Sequence, residues 1–131
     1  MSQHAHAVIW IDHHQAKVLH FNATDVDHAV IHPHDRTVHV HHKANAVGDG
    51  RAPVDKDYLR RVTESVSTTE AIMIVGPASA KTELADYIAA HAPGVSAHVS
   101  TVQPADHPSD GELVALARQY FKAQDRMRRP V

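Results

Sequence analysis

The fold of this chain is decided by residues 7–12, which read Ala-Val-Ile-Trp-Ile-Asp, and by residues 16–21, which read Ala-Lys-Val-Leu-His-Phe. Both stretches are rich in β-branched and aromatic residues, which favour strands. The polar residues 12–15, Asp-His-His-Gln, are few enough to form a hairpin turn between them. We therefore predict that the chain begins with two antiparallel strands.

The region after this hairpin predicts one more strand and then a loop. Residues 29–31, Ala-Val-Ile, predict a third strand that Pro33 ends, because proline cannot donate to a strand ladder. Residues 37–42 alternate apolar residues with histidine, which predicts either an extension of this strand or a separate arm. Residues 44–53 have no periodicity and contain two glycines and a proline, so we predict a mobile loop there.

The second half of the chain alternates helices with strands. The apolar spacing predicts a helix over 55–67, a buried strand over 71–75, a helix from Ser79 to Gly94, a strand over 95–102 and a last helix that begins at Ser109. Ser109 and Glu112 have the spacing of a capping box. The side chains predicted to be mostly buried are Val8, Trp10, Ile72, Ile74, Leu84, Leu113, Leu116 and Tyr120.

The predicted order of elements is β-β-β-α-β-α-β-α. An antiparallel meander that leads into right-handed crossovers gives a mixed sheet. This is the order of a ribonuclease H-like α/β fold. The length of 131 residues is typical of one domain, so we expect a single domain over 1–131.

Composition excludes several classes of function. The chain has no cysteine, which excludes disulfides, thiolate metal sites and thiol catalysis. The first six residues lack the features of a signal peptide, and no apolar run approaches the ~20 residues of a membrane span. We therefore expect a cytoplasmic protein without membrane contact. Thirteen basic and fifteen acidic residues give a formal charge of −2, which by itself does not indicate a nucleic-acid binder.

A metal-dependent nuclease of this fold needs several carboxylates that converge on divalent ions. Asp12, at the end of the first strand, would supply the first carboxylate. The strand over 71–75 should supply another near its end, but Gly-Pro-Ala follows it. The favoured alternative is that Asp12 is a turn aspartate that accepts hydrogen bonds from its own backbone. We therefore assign no catalytic residue.

Fourteen histidines raise the question of a metal site. The pairs His32 and His34, and His39 and His41, have i, i+2 spacing, which on a strand places both rings on one face roughly 6.6 Å apart. Two such pairs together could hold Zn²⁺ or Ni²⁺ through imidazole nitrogens. The alternative, which we favour, is that these histidines lie on solvated faces and loops. We therefore expect no cofactor.

Two segments could bind phosphate. Residues 76–81 resemble a strand-to-helix anion cradle in which Lys81 would contact the phosphate, although a tight turn with a helix cap is the favoured alternative. The C-terminal helix and a basic tail over 125–131, which we expect to be frayed, carry the concentrated positive charge; these residues are Arg118, Lys122, Arg126, Arg128 and Arg129. Such a segment can contact RNA phosphates or be a solvated helix end, and the sequence favours neither.

Three stretches resemble known proteins. Residues 7–12 and 15–18, and residues 75–84, are similar to the opening hairpin and to the turn and helix of the middle domain of archaeal and eukaryotic class-1 release factors and Pelota-like factors. Residues 106–113 are similar to short bacterial proteins called translational machinery proteins. The resemblance implies the same α/β fold and a ribosome or RNA partner, and Lys43, which lies where release factors have a functional loop, is a candidate contact with that partner.

One departure limits what the resemblance implies. Release factors carry Gly-Gly-Gln in that loop, and residues 41–50 here do not contain it. Peptide release is therefore not implied. The expected function is that of a non-catalytic translation-associated protein, such as a stress or hibernation factor. The alternative is a histidine-rich metal-binding protein or a metal-dependent hydrolase. The sequence does not determine the oligomeric state, and a homodimer is one of the alternatives.

Overall fold

The computed structural model of the protein describes residues 5–33 and 55–128, with side chains up to residue 124. In these ranges the strands are β1 (His6–Ile11), β2 (Ala16–Phe21), β3 (Val26–Ile31), β4 (Ala71–Gly76) and β5 (Val99–Pro104). The helices are α1 (Lys56–Ser65), α2 (Ala80–His91), α3 (Pro93–Ser96) and α4 (Asp110–Arg128). The loop predicted over 44–53 and the arm predicted over 37–42 lie outside the described residues.

The strands form one mixed sheet in the order β3-β2-β1-β4-β5. The pairs β1–β2 and β2–β3 are antiparallel, whereas β1–β4 and β4–β5 are parallel. The predicted α/β class and the predicted order of elements are confirmed, with the short α3 as an addition. The single domain over 1–131 stays a prediction.

Helices cover both faces of the sheet. Along β1, Ala7, Ile9 and Ile11 pack with α1 and α2, while Val8 and Trp10 pack with α4. This alternation follows from the period of two in a strand, and it makes three layers with a core on each side of the sheet. Each large side chain buried in this way contributes roughly 1.5–3 kcal/mol. We call these two sides the α1–α2 face and the α4 face.

The polar contacts of Trp10 and Lys17 hold α4 in place. The indole Nε1 of Trp10 donates to the carbonyl of Asp106 at 2.8 Å, just before α4 begins. The Lys17 ammonium lies 3.1 Å from an Asp110 carboxylate oxygen in the first turn of α4. Ser109 and Glu112 exchange the two hydrogen bonds of a capping box, as predicted.

The structure corrects several predicted boundaries; β3, for example, begins at Val26 and not at residue 29. Helix α2 ends at His91, and Pro93 begins the separate turn α3, because proline fits the first position of a helix but cannot continue one. The last strand therefore starts at Val99 and not at residue 95. Helix α4 is described to Arg128, and the frayed tail over 125–131 stays a prediction.

Most of the predicted core is confirmed. Six of the eight side chains are buried, namely Val8, Trp10, Ile72, Ile74, Leu84 and Leu113. Leu116 is 38% exposed and Tyr120 is half-buried, which corrects the prediction for both. A single helix on a sheet buries only a narrow stripe, and these two residues lie at its edge. None of the helices in the described ranges has both the length and the apolar character needed to cross a membrane.

Candidate nucleic-acid interface

Asp12 is a structural residue of the β1–β2 turn. Its Oδ1 accepts hydrogen bonds from the backbone N–H of His14 at 2.7 Å and of Gln15 at 2.9 Å. The hydroxyl of Tyr58 donates to the Asp12 carbonyl at 3.0 Å. Burial, together with the nearby Asp12 carboxylate, raises the pKa of Tyr58 well above its usual range. The arrangement is that of a turn aspartate, the alternative favoured by the sequence.

Gly76, at the end of β4, occupies the place where a nuclease would need its next carboxylate. A Cβ atom at this position would lie 2.3 Å from the backbone oxygen of Ile11 on the neighbouring strand. No side chain fits there unless the backbone moves.

Within the two described ranges, no three histidine or acidic side chains come together as a metal site would require.

The histidine pairs are described only in part. His32 is exposed, its Nδ1 lies 3.4 Å from the carbonyl of His14, and its own carbonyl accepts from Arg61 at 2.6 Å. His34, His39 and His41 lie outside the described residues. The proposed Zn²⁺ or Ni²⁺ site therefore stays a prediction.

The turn between β4 and α2 is the segment in which the sequence offers an anion cradle, with a tight turn as the favoured alternative. The ammonium of Lys81 donates to the carbonyl of Ala78. Ser79 stands before α2, but its hydroxyl donates to the Glu83 carboxylate at 3.1 Å and makes no cap, which corrects that prediction. A Glu83 oxygen also lies 3.6 Å from Nε2 of His13. A carboxylate therefore already lies at the positive end of the α2 dipole. A role for Lys81 in phosphate binding stays a prediction.

Arg118 is the best-defined cation among the predicted phosphate contacts. Its Nη2 donates to the carbonyl of Asn22 at 2.8 Å, and its guanidinium lies 5.6 Å from the centre of the Phe21 ring. Its Nε is buried and has no hydrogen-bond partner among the described residues. Two contacts thus hold the guanidinium plane at the end of the β2–β3 hairpin.

A cleft of about 370 Å³ opens beside Arg118, and we call it the α4 cleft. Its lining combines three rings, those of His6, Phe21 and Phe121, which we call the aromatic floor, with Asn22 and Ala23 of the β2–β3 turn and with Arg118 and Lys122 of α4. The His6 ring is stacked on Phe21 with centroids 5.7 Å apart, and it lies 4.8 Å from the Phe121 ring. Aromatic and cationic groups therefore meet in one place.

A second, smaller cleft of about 300 Å³ lies on the other side of Arg118, and we call it the β3 cleft. Val26 and His28 of β3 and Asp110, Gly111, Val114 and Ala115 of α4 line it with Arg118. The Asp110 carboxylate lies 3.1 Å from the Lys17 ammonium and 3.6 Å from Nδ1 of His28. The two clefts share a cation, but only the lining described for the β3 cleft contains a carboxylate.

The sequence predicted part of this interface. Arg118 and Lys122 were proposed from their charge, and the structure brings them together at the α4 cleft. Lys43 and Arg129 lie outside the described residues, as do the side chains of Arg126 and Arg128. Sequence reasoning missed His6, Phe21, Asn22, Ala23 and Phe121, because these residues come from both ends of the chain and read locally as strand, turn and core. The one local signal is Phe121 beside Lys122.

No protein-family profile matches this chain, and no curated protein does. Solved structures do. Archaeoglobus fulgidus Pelota matches with a TM-score of 0.60 and 9% identity, over 87% of this chain and 30% of that chain. The archaeal translation termination factor aRF1 gives a TM-score of 0.55 and 12% identity, over 93% of this chain and 38% of that chain.

Dom34 of S. cerevisiae, described as a translation termination-like factor involved in RNA quality control pathways and interacting with Hbs1, matches as well. Its TM-score is 0.58 and its identity 11%, over 94% of this chain and 36% of that chain. This chain thus spans about a third of the length of these structures. The predicted resemblance to release factors and Pelota-like factors is confirmed at the level of the fold.

Proposed function

We propose that this chain is a translation-associated binding protein without catalytic activity, and that it contacts the ribosome or RNA through the α4 face. The observation that carries the proposal is the likeness of fold, over 87–94% of the chain, to Pelota, aRF1 and Dom34. Two of these are described as translation termination or termination-like factors. A partner of this kind implies a cytoplasmic location.

Charge on the α4 face supports a phosphate-bearing partner. Arg118 and Lys122 lie one turn apart on α4, and both line the α4 cleft. Residues 118–131 contain five basic residues and one acidic residue, whereas the whole chain has a formal charge of −2. Clustered cations on an otherwise slightly acidic protein are typical of a surface that contacts phosphates.

The geometry around Asp12 supports a non-catalytic role. Its carboxylate accepts two turn hydrogen bonds, and the neighbouring position 76 has no room for a side chain. Two-metal hydrolysis needs several carboxylates on adjacent strand ends, and among the described residues only Asp12 directly follows β1 or β4. Peptide release is not proposed, since residues 41–50 lack Gly-Gly-Gln.

Cosedimentation with ribosomes, and binding to RNA over a series of salt concentrations, test the proposal. Three or four phosphate contacts give a log–log salt slope of roughly −2 to −3, at about −0.7 for each contact on a single strand. The variant Lys122→Glu should make the slope less steep by about 0.7, the contribution of one phosphate contact. The triple variant Arg126→Glu, Arg128→Glu and Arg129→Glu should make it less steep still. Lys56→Glu, on α1 at the opposite face of the sheet, is the matched control and should bind like the wild type.

The proposal fails if the wild-type protein binds neither ribosomes nor RNA at low salt and pH 6.5. If Lys56→Glu and Lys122→Glu weaken binding equally, the α4 face is not the binding surface. Cosedimentation across growth phases tests the narrower role of a stress or hibernation factor, which requires that the bound fraction rise when growth stops.

A further inference from the structure

We propose that the α4 cleft is a nucleotide site that holds one base of single-stranded RNA on its aromatic floor and the adjoining phosphate on Arg118 and Lys122. This inference rests on the proposed function and names its ligand and its place. The cleft volume of about 370 Å³ lies in the range of small-molecule sites, roughly 300–1,000 Å³. One nucleotide is therefore the unit that we assign to it.

The floor of the cleft suits a flat ring. His6, Phe21 and Phe121 form a continuous cluster with centroids 4.8–6.4 Å apart. Phe21 and Phe121 are almost fully buried, while His6 is half-buried and is therefore the most accessible of the three rings. Bases stack on aromatic side chains with little regard to sequence, because every base has a π face.

The rim of the cleft suits a phosphate. The hydrogen bond from Nη2 of Arg118 to Asn22 and the contact with the Phe21 ring hold the guanidinium before any ligand arrives. A planar guanidinium held in this way matches the oxygens of a phosphate and loses little freedom on binding. Lys122, exposed one helical turn later, adds a second cation.

The β3 cleft shows why the anion belongs in the α4 cleft. The two clefts share Arg118, but the carboxylate of Asp110 lines the β3 cleft and already neutralises Lys17. No acidic side chain is among the described residues that line the α4 cleft. An anion is therefore attracted to the α4 cleft and repelled by Asp110 in the other.

The choice of RNA over an acidic peptide follows from the pairing of an aromatic floor with a row of cations. Proteins that bind single strands without sequence preference combine these two features. Three more basic residues follow Lys122 in the sequence, and a partner that carries repeated phosphates offers several places for such charges.

The test uses a matched pair of substitutions in the full-length protein. Ala23→Leu narrows the α4 cleft, and Ala115→Leu narrows the β3 cleft; both alanines are exposed, so neither change disturbs the core. The probe is a six-residue oligoadenylate, followed by NMR and by fluorescence anisotropy. We expect Ala23→Leu to weaken binding at least about fivefold, as loss of one stacked base does, and Ala115→Leu to change it less than twofold.

Further measurements separate the contribution of the base to binding from that of the phosphate. Adenosine 5′-monophosphate should shift the His6 and Phe121 resonances and bind more tightly than inorganic phosphate. Lys122→Glu should weaken oligoadenylate binding as Ala23→Leu does, while Lys56→Glu should not. Thermal unfolding of each variant verifies that a loss of binding is not a loss of the fold.

Several results overturn the inference. If Ala23→Leu binds oligoadenylate like the wild type, the cleft is not the site, although the proposed function stands. Equal affinity for phosphate and the mononucleotide would make the cleft a simple anion site, and displacement of the RNA by an acidic hexapeptide at lower concentration would make it a peptide site. If ribosomes cosediment but oligoadenylate does not bind, the inference alone falls; if neither binds, the proposed function falls with it.

Discussion

The two faces of the sheet are covered in different ways. On the α1–α2 face, two helices enclose a cluster of fully or almost fully buried side chains, and even the polar hydroxyl of Tyr58 has an internal partner. On the α4 face a single helix lies across the sheet, and clefts open on both sides of Arg118. Both faces come from the same strands, whose residues alternate between them.

This difference teaches where stability and binding are located. A closed face gains from close packing, and every cavity made there costs free energy of unfolding. A face with one helix leaves polar and aromatic groups at the edge of the core, where they remain open to a partner. Substitutions on the α1–α2 face should therefore act through stability, and substitutions at the exposed edge of the α4 face should act through binding.

The largest expected effect on the free energy of unfolding comes from comparing two leucines, one on each side of the sheet. Leu84 on α2 is fully buried, whereas Leu116 on α4 is 38% exposed. We expect Leu84→Ala to lower the free energy of unfolding by about 2–5 kcal/mol and Leu116→Ala by about 0.5 kcal/mol or less. Urea unfolding followed by circular dichroism measures both. Equal losses would show that the edge of the α4 face is packed as closely as the α1–α2 face.

A smaller effect compares two tyrosine hydroxyls. The Tyr58 hydroxyl donates to Asp12 at 3.0 Å from a fully buried position, and that of half-buried Tyr120 lies 3.4 Å from the carbonyl of Ser100. Tyr58→Phe should cost about 1 kcal/mol at pH 7, and Tyr120→Phe should cost less, because its bond is longer and lies nearer solvent. Thermal unfolding of both variants checks the ranking, which a larger loss in Tyr120→Phe would reverse.

Alkaline pH sharpens the test at Tyr58. Burial raises the pKa of Tyr58 above its ordinary value of 10.0, so the folded protein keeps the phenol neutral where the unfolded chain ionises. The contribution of this group is fully present below pH 10 and is lost as pH rises toward the folded-state pKa. Wild-type stability should therefore fall above pH 10 more steeply than that of Tyr58→Phe. Parallel curves between pH 9 and pH 11 would show that the phenol is not protected.

The smallest expected effect is the loss of stability on removing Asp57, which forms ion pairs on α1. Hydrogen bonds from Arg60 and then Arg61 lower the pKa of Asp57 below its ordinary value of 3.8. The resulting stabilisation is present above pH 3.8 and is lost as pH falls through the folded-state pKa. Asp57→Asn should thus be slightly less stable than the wild type at pH 6, and the gap should close in acid. Exposed pairs contribute little, so precise urea midpoints are needed.

A double variant verifies the cause. With Arg60→Gln and Arg61→Gln already in place, adding Asp57→Asn should change the pH 6 midpoint very little, because its partners are gone. A loss as large as in the wild-type background would assign the effect to the helix itself.

Local signals made most of the fold predictable. The apolar runs over 7–11 and 16–21 and the capping box at Ser109 each depend on neighbours in sequence, and the structure confirms all three. The start of β5 was misplaced because Val95 is apolar enough for a strand, while the proline before it begins a helical turn. That competition is decided by the backbone of residues 93–96 and not by hydropathy.

The candidate site was less predictable for a physical reason. Its cations stand out by charge, but Phe21 and Phe121 are a hundred positions apart and each looks like ordinary core. Only the packing of α4 across β2 brings them to within 6.4 Å of each other and opens a cleft beside them. A pattern that depends on tertiary packing has no local signature in the chain.

Gly76 has a consequence for how this chain can change over time. Because a Cβ there would lie 2.3 Å from the Ile11 oxygen, even alanine requires the two central strands to move apart. Acquiring a carboxylate at that strand end would thus need at least two coordinated events, a backbone shift and then an acidic substitution, with a less stable ancestor in between. A single substitution at position 76 is therefore tolerated less well than one at an exposed position of the α4 face.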